Sequence, residues 1–243
     1  MLTYVFVGFI SALLSSTSGA GAALFATPLF LSAGLSLPTI LACNQLCASL
    51  WTPVASRNYR RGVPLDTRLI VGVALVGLVG VWFGYRLAMY LSPELSKPII
   101  GALILFVVAV SWRRSSRSGD DSSTKGHRAM SIVLGFPLGA YQAFFGGGNT
   151  LFSSLMFSRT QGFDFKRALA HAYAVAFVWC TASALLFWLG GCMQWDIVAP
   201  AAIGSMIDAS IGSRYGRALS NTVRRQVFLL AGSLMGVRLL LFS

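Results

Sequence analysis

Charge is what this chain has least of. Only 11% of its 243 residues are Asp, Glu, Lys or Arg, against about 25% in an ordinary soluble domain. Acidic side chains are rarer still: seven, against nineteen Lys and Arg, for a net charge of +12. A water-soluble enzyme and a disordered chain both need far more charge, and both are excluded. Cysteine is sparse too. Cys43, Cys47, Cys180 and Cys192 form no Cys-x-x-Cys pair and no Cys/His cluster, which excludes a disulfide scaffold and leaves no zinc-type ligand set. Cys43 and Cys47 share a helix face at i,i+4; a metal or redox pair and two small buried hydrophobes are both open to them. Residues 1–18 are apolar but lack the basic n-region of a cleaved signal, and read as part of the mature fold. There is no nucleophile–base pair, and no soluble domain fits between the apolar runs. The expectation is a protein without catalytic residues, cofactor or metal.

What fills the chain instead is apolar: 56% of residues are hydrophobic and the mean hydropathy is +0.71. The basic residues sit in short clusters between apolar runs, which fits cytoplasmic loops of a membrane protein and not a nucleic-acid surface. Runs at about 2–17 and 22–33 fall short of the roughly 20 residues a spanning helix needs. They meet at Ser15-Ser16-Thr17-Ser18-Gly19-Ala20-Gly21. Longer runs follow at about 38–57, 68–91 and 98–112, then a polar linker at 113–128. The order then recurs. A run at about 129–145 ends at Gly146-Gly147-Gly148-Asn149-Thr150, a short run reaches Phe157, and longer runs cover 168–190, 197–213 and 226–242.

The halves align residue by residue. Gly8 and Phe9 match Gly135 and Phe136 at an offset of 127, which also sets Gly19 on Gly146, Gly21 on Gly148, and Leu24-Phe25 on Leu151-Phe152. One inserted residue later the offset is 128: Ala42 matches Ala170, and Gly84, Arg86, Leu91 and Ser92 match Gly212, Arg214, Leu219 and Ser220. An ordered series at nearly constant offset is the mark of duplication.

Equivalent loops differ in charge. The loop at 57–68 holds Arg57, Arg60, Arg61 and Arg68, while its counterpart at 189–196 has no basic residue and carries Asp196. The stretch at 34–38 is uncharged, whereas 158–167 holds Arg159, Lys166 and Arg167. The segment 86–97 is weakly charged; 214–225 carries Arg214, Arg217, Arg224 and Arg225. If positive loops stay inside, the halves are inverted in the membrane, and each half crosses an odd number of times. The expected fold is therefore an all-α polytopic membrane protein of two inverted repeats, each a re-entrant helical hairpin plus three transmembrane helices. The first repeat is 1–112 (hairpin 2–33, spans 38–57, 68–91 and 98–112). The second is 129–243 (hairpin 130–157, spans 168–190, 197–213 and 226–242). The linker 113–128 lies inside and both termini outside, in a multi-pass inner-membrane protein. A four-plus-four arrangement would put 158–167 and 214–225 outside, against the charge rule.

A re-entrant break leaves backbone groups unpaired at membrane depth, tolerated only inside protein or beside a polar cavity. It creates a new helix N-terminus with free N–H groups and a positive dipole end, and glycine lets a ligand approach the backbone. Together these make an anion site. The candidate binding residues are Ser18, Gly19, Ala20 and Gly21 at the first break, and Gly146, Gly147, Gly148, Asn149 and Thr150 at the second. Hydroxyls of Ser16 and Thr17 and the amide of Gln142 add donors. The competing reading is that these glycines only permit tight helix packing.

These features resemble the TauE/SafE sulfite-exporter family of membrane transporters. The resemblance is carried by the paired Gly-rich breaks, Pro28-Leu29, the Asn44-Gln45 helix and the turns Gly84-x-Arg86 and Gly212-x-Arg214. It covers essentially the whole chain. It implies a duplicated all-helical transporter for small sulfur oxyanions and organosulfonates. The first break, Gly-Ala-Gly-Ala-Ala, is poorer in glycine than that family's usual run.

Polar residues inside the runs complete the candidates. Gln45, Ser49, Thr52 and Ser56 form one stripe on the 38–57 helix, with Asn44 at its edge; the stripe lines a pathway or bonds neighbouring helices. His171 begins the equivalent helix, as an anion or proton contact or a satisfied structural group. Asp208, within a predicted span, is a proton-coupling candidate or the neutraliser of an arginine such as Arg214 or Arg238. Arg86 and Arg214 read as interfacial anchors. Trp51, Trp82, Trp112, Trp179, Trp188 and Trp195 lie mostly near span ends, as an aromatic belt does. The functional expectation is a secondary carrier for a small oxyanion such as sulfite or a sulfonate, its partners being that solute and the bilayer and not nucleic acid. The alternative is a passive anion channel of the same fold.

Overall fold

The computed structural model describes residues 5–6, 23–60, 63–115, 126–204 and 221–241. Among the described residues the regular structure is all helical. The helices are α1 (Ala23–Ser32), α2 (Leu37–Arg60), α3 (Thr67–Tyr90), α4 (Pro93–Ser115), α5 (Arg128–Phe144), α6 (Asn149–Gln161), α7 (Phe165–Leu189), α8 (Trp195–Gly204) and α9 (Asn221–Leu241). Two of them, α3 and α7, are long and apolar enough to cross a membrane. Helix α4 starts at Pro93, upstream of its apolar run, because proline suits the first helical turn, where an N–H is unpaired anyway.

Helix starts repeat. Residues 37 and 67 open α2 and α3, and residues 165 and 195 open α7 and α8, each pair 128 apart, and α9 stands third in the second set as α4 does in the first. Two of these pairs also touch: α2 packs on α7, and α4 on α9.

The closest helix contact joins α3 to α5, and glycine makes it possible. A Cβ added at Gly80 would run into the Phe136 carbonyl, one at Gly84 into the Ala140 carbonyl, and one at Gly139 into the Gly77 carbonyl. At Gly135 it would stand 2.7 Å from the Val73 oxygen. The two backbones thus meet directly, the way small residues bring helices together where apolar tails surround them. The opposite face of α3 carries the bulk. Val71, Leu75, Val79, Trp82, Phe83 and Leu87 are exposed, Leu75 by 59%. Large apolar groups outside and small ones inside is the pattern of a helix whose solvent is lipid.

One end of the bundle is basic. There the Asp66 carboxylate accepts the Leu69 N–H at 3.1 Å as the N-cap of α3 and pairs with Arg128 at the start of α5. The Asp66 N–H donates to His171 Nε2 on α7 at 3.0 Å, and the His127 N–H to the Thr160 carbonyl at the end of α6 at 2.8 Å. Arg57, Arg60, Arg68, Arg128, Arg159 and Lys166 are exposed around this end. The other end, where Cys192 Sγ meets Met89 Sδ at 3.4 Å, exposes Trp82, Tyr90, Trp188 and Trp195. Trp51 and Trp179 depart from the belt expectation. Trp179 is fully buried and Trp51 half-buried within the bundle, because each sits on a face turned toward a neighbouring helix.

Two outcomes follow from this packing. Gly80→Ala and Gly139→Ala should each destabilise the protein in detergent by about 1–3 kcal/mol, the usual cost of overpacking, seen as a lower thermal midpoint, while Leu75→Ala on the exposed face should not. Asp66 titrates outside the spans. Its partial burial opposes ionisation, but the Leu69 N–H and the Arg128 guanidinium outweigh that and hold the carboxyl below its usual range. A depressed folded pKa means its contribution is whole above the unfolded value, about 3.9, and fades as pH falls through the folded one. Asp66→Ala should cost about 1 kcal/mol near neutral pH, a typical cap, and the gap from wild type should close below about pH 4.

Candidate functional site

Helices α5 and α6 form an antiparallel hairpin whose open ends lie at the basic end of the bundle, joined by the His127 and Ser131 contacts to Thr160. Its tip is Phe145–Gly148. Gly146 and Gly148 have φ of +72° and +76°, left-handed values that side chains resist. They turn the chain within three residues. Gly148 is the N-cap of α6 and has no side chain with which to cap it. The Asn149 N–H returns to the Gly146 carbonyl, and those of Leu151 and Phe152 to Gly148. Among the described residues the N–H groups of Gly147, Gly148 and Thr150 meet no acceptor.

Three amides brace the tip. Gln45 of α2 donates through Nε2 to the Gln142 backbone carbonyl, the i−4 acceptor that Gly146 N–H leaves by bonding Tyr141 instead. That bond sets the orientation of the rest, since a carbonyl accepts and cannot face Oε1. Gln142 Nε2 donates to Gln45 Oε1 at 3.0 Å and to Cys180 Sγ of α7 at 3.2 Å, and Asn149 Nδ2 donates to Gln142 Oε1 at 2.6 Å. Tyr141 adds a hydroxyl bond to the Gly147 carbonyl. On α2, Asn44 Nδ2 donates to the Thr27 hydroxyl of α1 at 2.9 Å. Asn149 Oδ1 is buried with no partner among the described residues.

Beside the tip is a cavity of about 50 Å³, lined by Ala23, Asn44, Gln45, Cys47, Ala48, Trp51, Thr52, Gln142, Gly146, Gly148, Thr150, Ala176 and Cys180. A water needs roughly 10–15 Å³ on this measure, so the space suits a few waters or one compact solute. Three repeat-related pairs share the lining: Ala23 with Thr150, Ala48 with Ala176, and Thr52 with Cys180. The cavity therefore lies where the two halves meet. None of its described lining residues is charged, and the preceding segment 1–22 has no charged residue in its sequence. What the lining offers an anion is dipoles: the α6 N-terminus, two hydroxyls and three amides.

The sequence candidates divide as follows. Asn44, Gln45, Gln142, Gly146, Gly148 and Thr150 line the cavity. Gly147 and Asn149 belong to the tip but not to the lining. His171 is not brought there. It is fully buried near the basic end, against Phe157 and Phe163, with Nδ1 on the Arg167 carbonyl at 2.8 Å and Nε2 accepting from Asp66. Both ring nitrogens are thus used by the backbone. Ser18, Gly19, Ala20, Gly21 and Asp208 lie outside the described residues. Trp51, Cys47, Ala48, Ala176 and Cys180 were not singled out as site residues. The repeat offset was the available signal, since 48 and 52 project onto 176 and 180.

The sequence signature of the sulfite exporter TauE/SafE family matches residues 4–239. The chain is similar to a probable membrane transporter protein of Haemophilus influenzae, 25% identical over 96% of this chain and 91% of the relative. It is equally similar, at 25%, to the probable membrane transporter protein YfcA of Escherichia coli, over 97% of this chain and 87% of that one. The probable membrane transporter protein ORF9 of a Sinorhizobium species is 25% identical over 99% and 92%. No solved structure matches the chain.

Gln142→Leu removes the middle of the amide relay and leaves Gln45 and Asn149 short of partners. A buried polar group left unpaired costs about 1–3 kcal/mol, so this variant should melt well below wild type in detergent. Thr181→Ala, whose hydroxyl bonds only the Phe177 carbonyl of its own helix, should melt like wild type.

Proposed function

From the premise that the chain belongs to the sulfite exporter TauE/SafE family, a family of membrane transporters, we propose that it is a secondary carrier for a small oxyanion such as sulfite or an organosulfonate. The solute occupies the cavity at the α5–α6 tip, where the Gly148 and Thr150 N–H groups, the Thr150 hydroxyl and the second amide hydrogen of Gln45 donate to it. The observation that carries this reading is the cavity itself, set against a helix N-terminus and lined by repeat-related residues of both halves. Its depth supports the reading. Gln45 stands fifteen residues from Arg60 along α2, about 22 Å at 1.5 Å per residue, which puts the tip near the middle of a bilayer when the basic end is at one surface.

The basic end then faces the cytoplasm of the inner membrane, with the 113–128 linker there and both termini outside. In this frame α5 and α6 are a re-entrant hairpin, and the two halves are inverted repeats that expose the cavity alternately. The first break, at Ser18–Gly21, stays a candidate binding segment by its sequence, and Asp208 the candidate for proton coupling.

The protein reconstituted in vesicles should take up labelled sulfite or methanesulfonate, faster when the same anion is loaded on the other side. Counter-stimulation is expected of a carrier and not of a channel. Thr150→Val and Gln45→Leu should each lower uptake about tenfold, roughly the loss of one charge-assisted hydrogen bond, with Thr181→Ala unaffected. Uptake unchanged in both site variants would remove the cavity from the proposal.

A further inference from the structure

Three rings lie in a row between the cavity and the basic end. Trp51 of α2 walls the cavity. It stands edge-on to Tyr173 of α7 at 5.7 Å, and Tyr173 stacks on Tyr59 of α2 at 5.3 Å. Tyr59 is 36% exposed and precedes Arg60, the last residue of α2. Trp51 and Tyr59 are eight residues apart on one helix, about 12 Å at 1.5 Å per residue. Helix α7 begins at the basic end, and Tyr173 lies three residues nearer that end than Ala176, a lining residue. The rings therefore lead from the cavity wall to the surface along the contact of α2 with α7.

What holds this column is ring contact. Among the described residues no hydrogen bond fixes the Trp51 indole or the Tyr59 and Tyr173 hydroxyls. Trp179, the repeat-mate of Trp51, is fixed: its N–H donates to the Ala74 carbonyl at 3.1 Å, and its ring lies where a Gly77 Cβ would be. The repeat-mates of Tyr173 and Tyr59 are Gln45 and Phe187. Gln45 is bonded into the hairpin tip, and Phe187 packs on Tyr85 at 5.1 Å. The equivalent positions thus make no second column, and this one belongs to the basic end alone. A ring pair biases an equilibrium by about two- to tenfold. Two such pairs keep a path mostly shut and still let it part, as an element with a minor open population must.

We propose that Trp51, Tyr173 and Tyr59 form the gate that closes the cavity toward the basic end, and that parting these rings opens the cavity to that face. In the arrangement described here the gate is shut. The proposal rests on the carrier reading and adds to it the side chains that control access from one side.

Cys47, which lines the cavity, serves as the reporter. The parent protein carries Cys43→Ser, Cys180→Ser and Cys192→Ser; a serine at 180 still accepts from Gln142. In vesicles of known orientation, Cys47 is labelled with a membrane-impermeant methanethiosulfonate from each face in turn. The ratio of the basic-face rate to the opposite-face rate should rise about fivefold in Tyr59→Ala, which loses one ring pair, and further in Tyr173→Ala, which loses both. Tyr59→Phe and Tyr173→Phe keep the rings and should match the parent. So should Tyr85→Ala, which removes a ring pair elsewhere. If Tyr173→Ala fails to fold, Tyr59→Ala, at an exposed position, decides. A ratio that stays at the parent value, equal acceleration from both faces, or a rise as large in the Phe or Tyr85→Ala proteins overturns the gate. Sulfite and methanesulfonate uptake by wild type are measured separately. A raised ratio without uptake leaves the gate standing and sinks the substrate, while uptake without a raised ratio sinks the gate alone.

Discussion

A helix interrupted inside an apolar bundle must find partners for the backbone groups the break sets loose, because hydrocarbon offers none. In this protein that constraint falls on Phe145–Gly148. The Gly146 N–H bonds Tyr141 and leaves the Gln142 carbonyl without its i−4 donor, so Gln45 reaches across from another helix to supply one. That single bond then orients Gln45, Gln142 and Asn149 in sequence. The Gln142 carbonyl and the Gln45 and Gln142 amide oxygens are consumed by this relay, while among the described residues the N–H groups of Gly147, Gly148 and Thr150 and the buried Asn149 Oδ1 are left over. Unmatched N–H groups at a helix N-terminus favour negative charge, and it is this feature of the tip on which the proposed anion site rests.

The same economy of small residues explains how the hairpin stays in place. With lipid outside, burying a large apolar side chain gains nothing over exposing it, and helices are held by close backbone approach and by a few hydrogen bonds. Helix α3 follows both rules. It gives its glycine face to α5, receives the Trp179 indole from α7 at Ala74, and leaves its bulky residues outside. The hairpin arm that carries the tip is thereby pinned to the first half of the chain, although it belongs to the second. Asp66 and Arg128 tie the same two helices at their basic ends.

The repeat read from the sequence has a counterpart in the packing of the described helices. Repeat-mates α2 and α7 lie against each other, and the cavity draws paired positions from both. The residues within those pairs have diverged: Thr52 opposes Cys180, and Ala23 opposes Thr150.

Much of this was legible beforehand. Low charge and long apolar runs dictate helices in a membrane, since no other open structure satisfies its backbone there. The offset of 127 to 128 between halves needs no coordinates, and it located the glycine breaks and the Asn44-Gln45 helix. Adjacency was not legible. His171 and Gln45 sit two positions apart in the repeat alignment, yet Gln45 braces the tip while His171 serves the Asp66 backbone near the basic end. Trp51 and Trp179 read alike in sequence and differ in burial. A helical position repeats every 3.6 residues, so sequence specifies which face a residue occupies. Which neighbour that face meets is set by the close approach of α3 and α5 and by the lean of α2 on α7, and those distances exist only once the helices are packed.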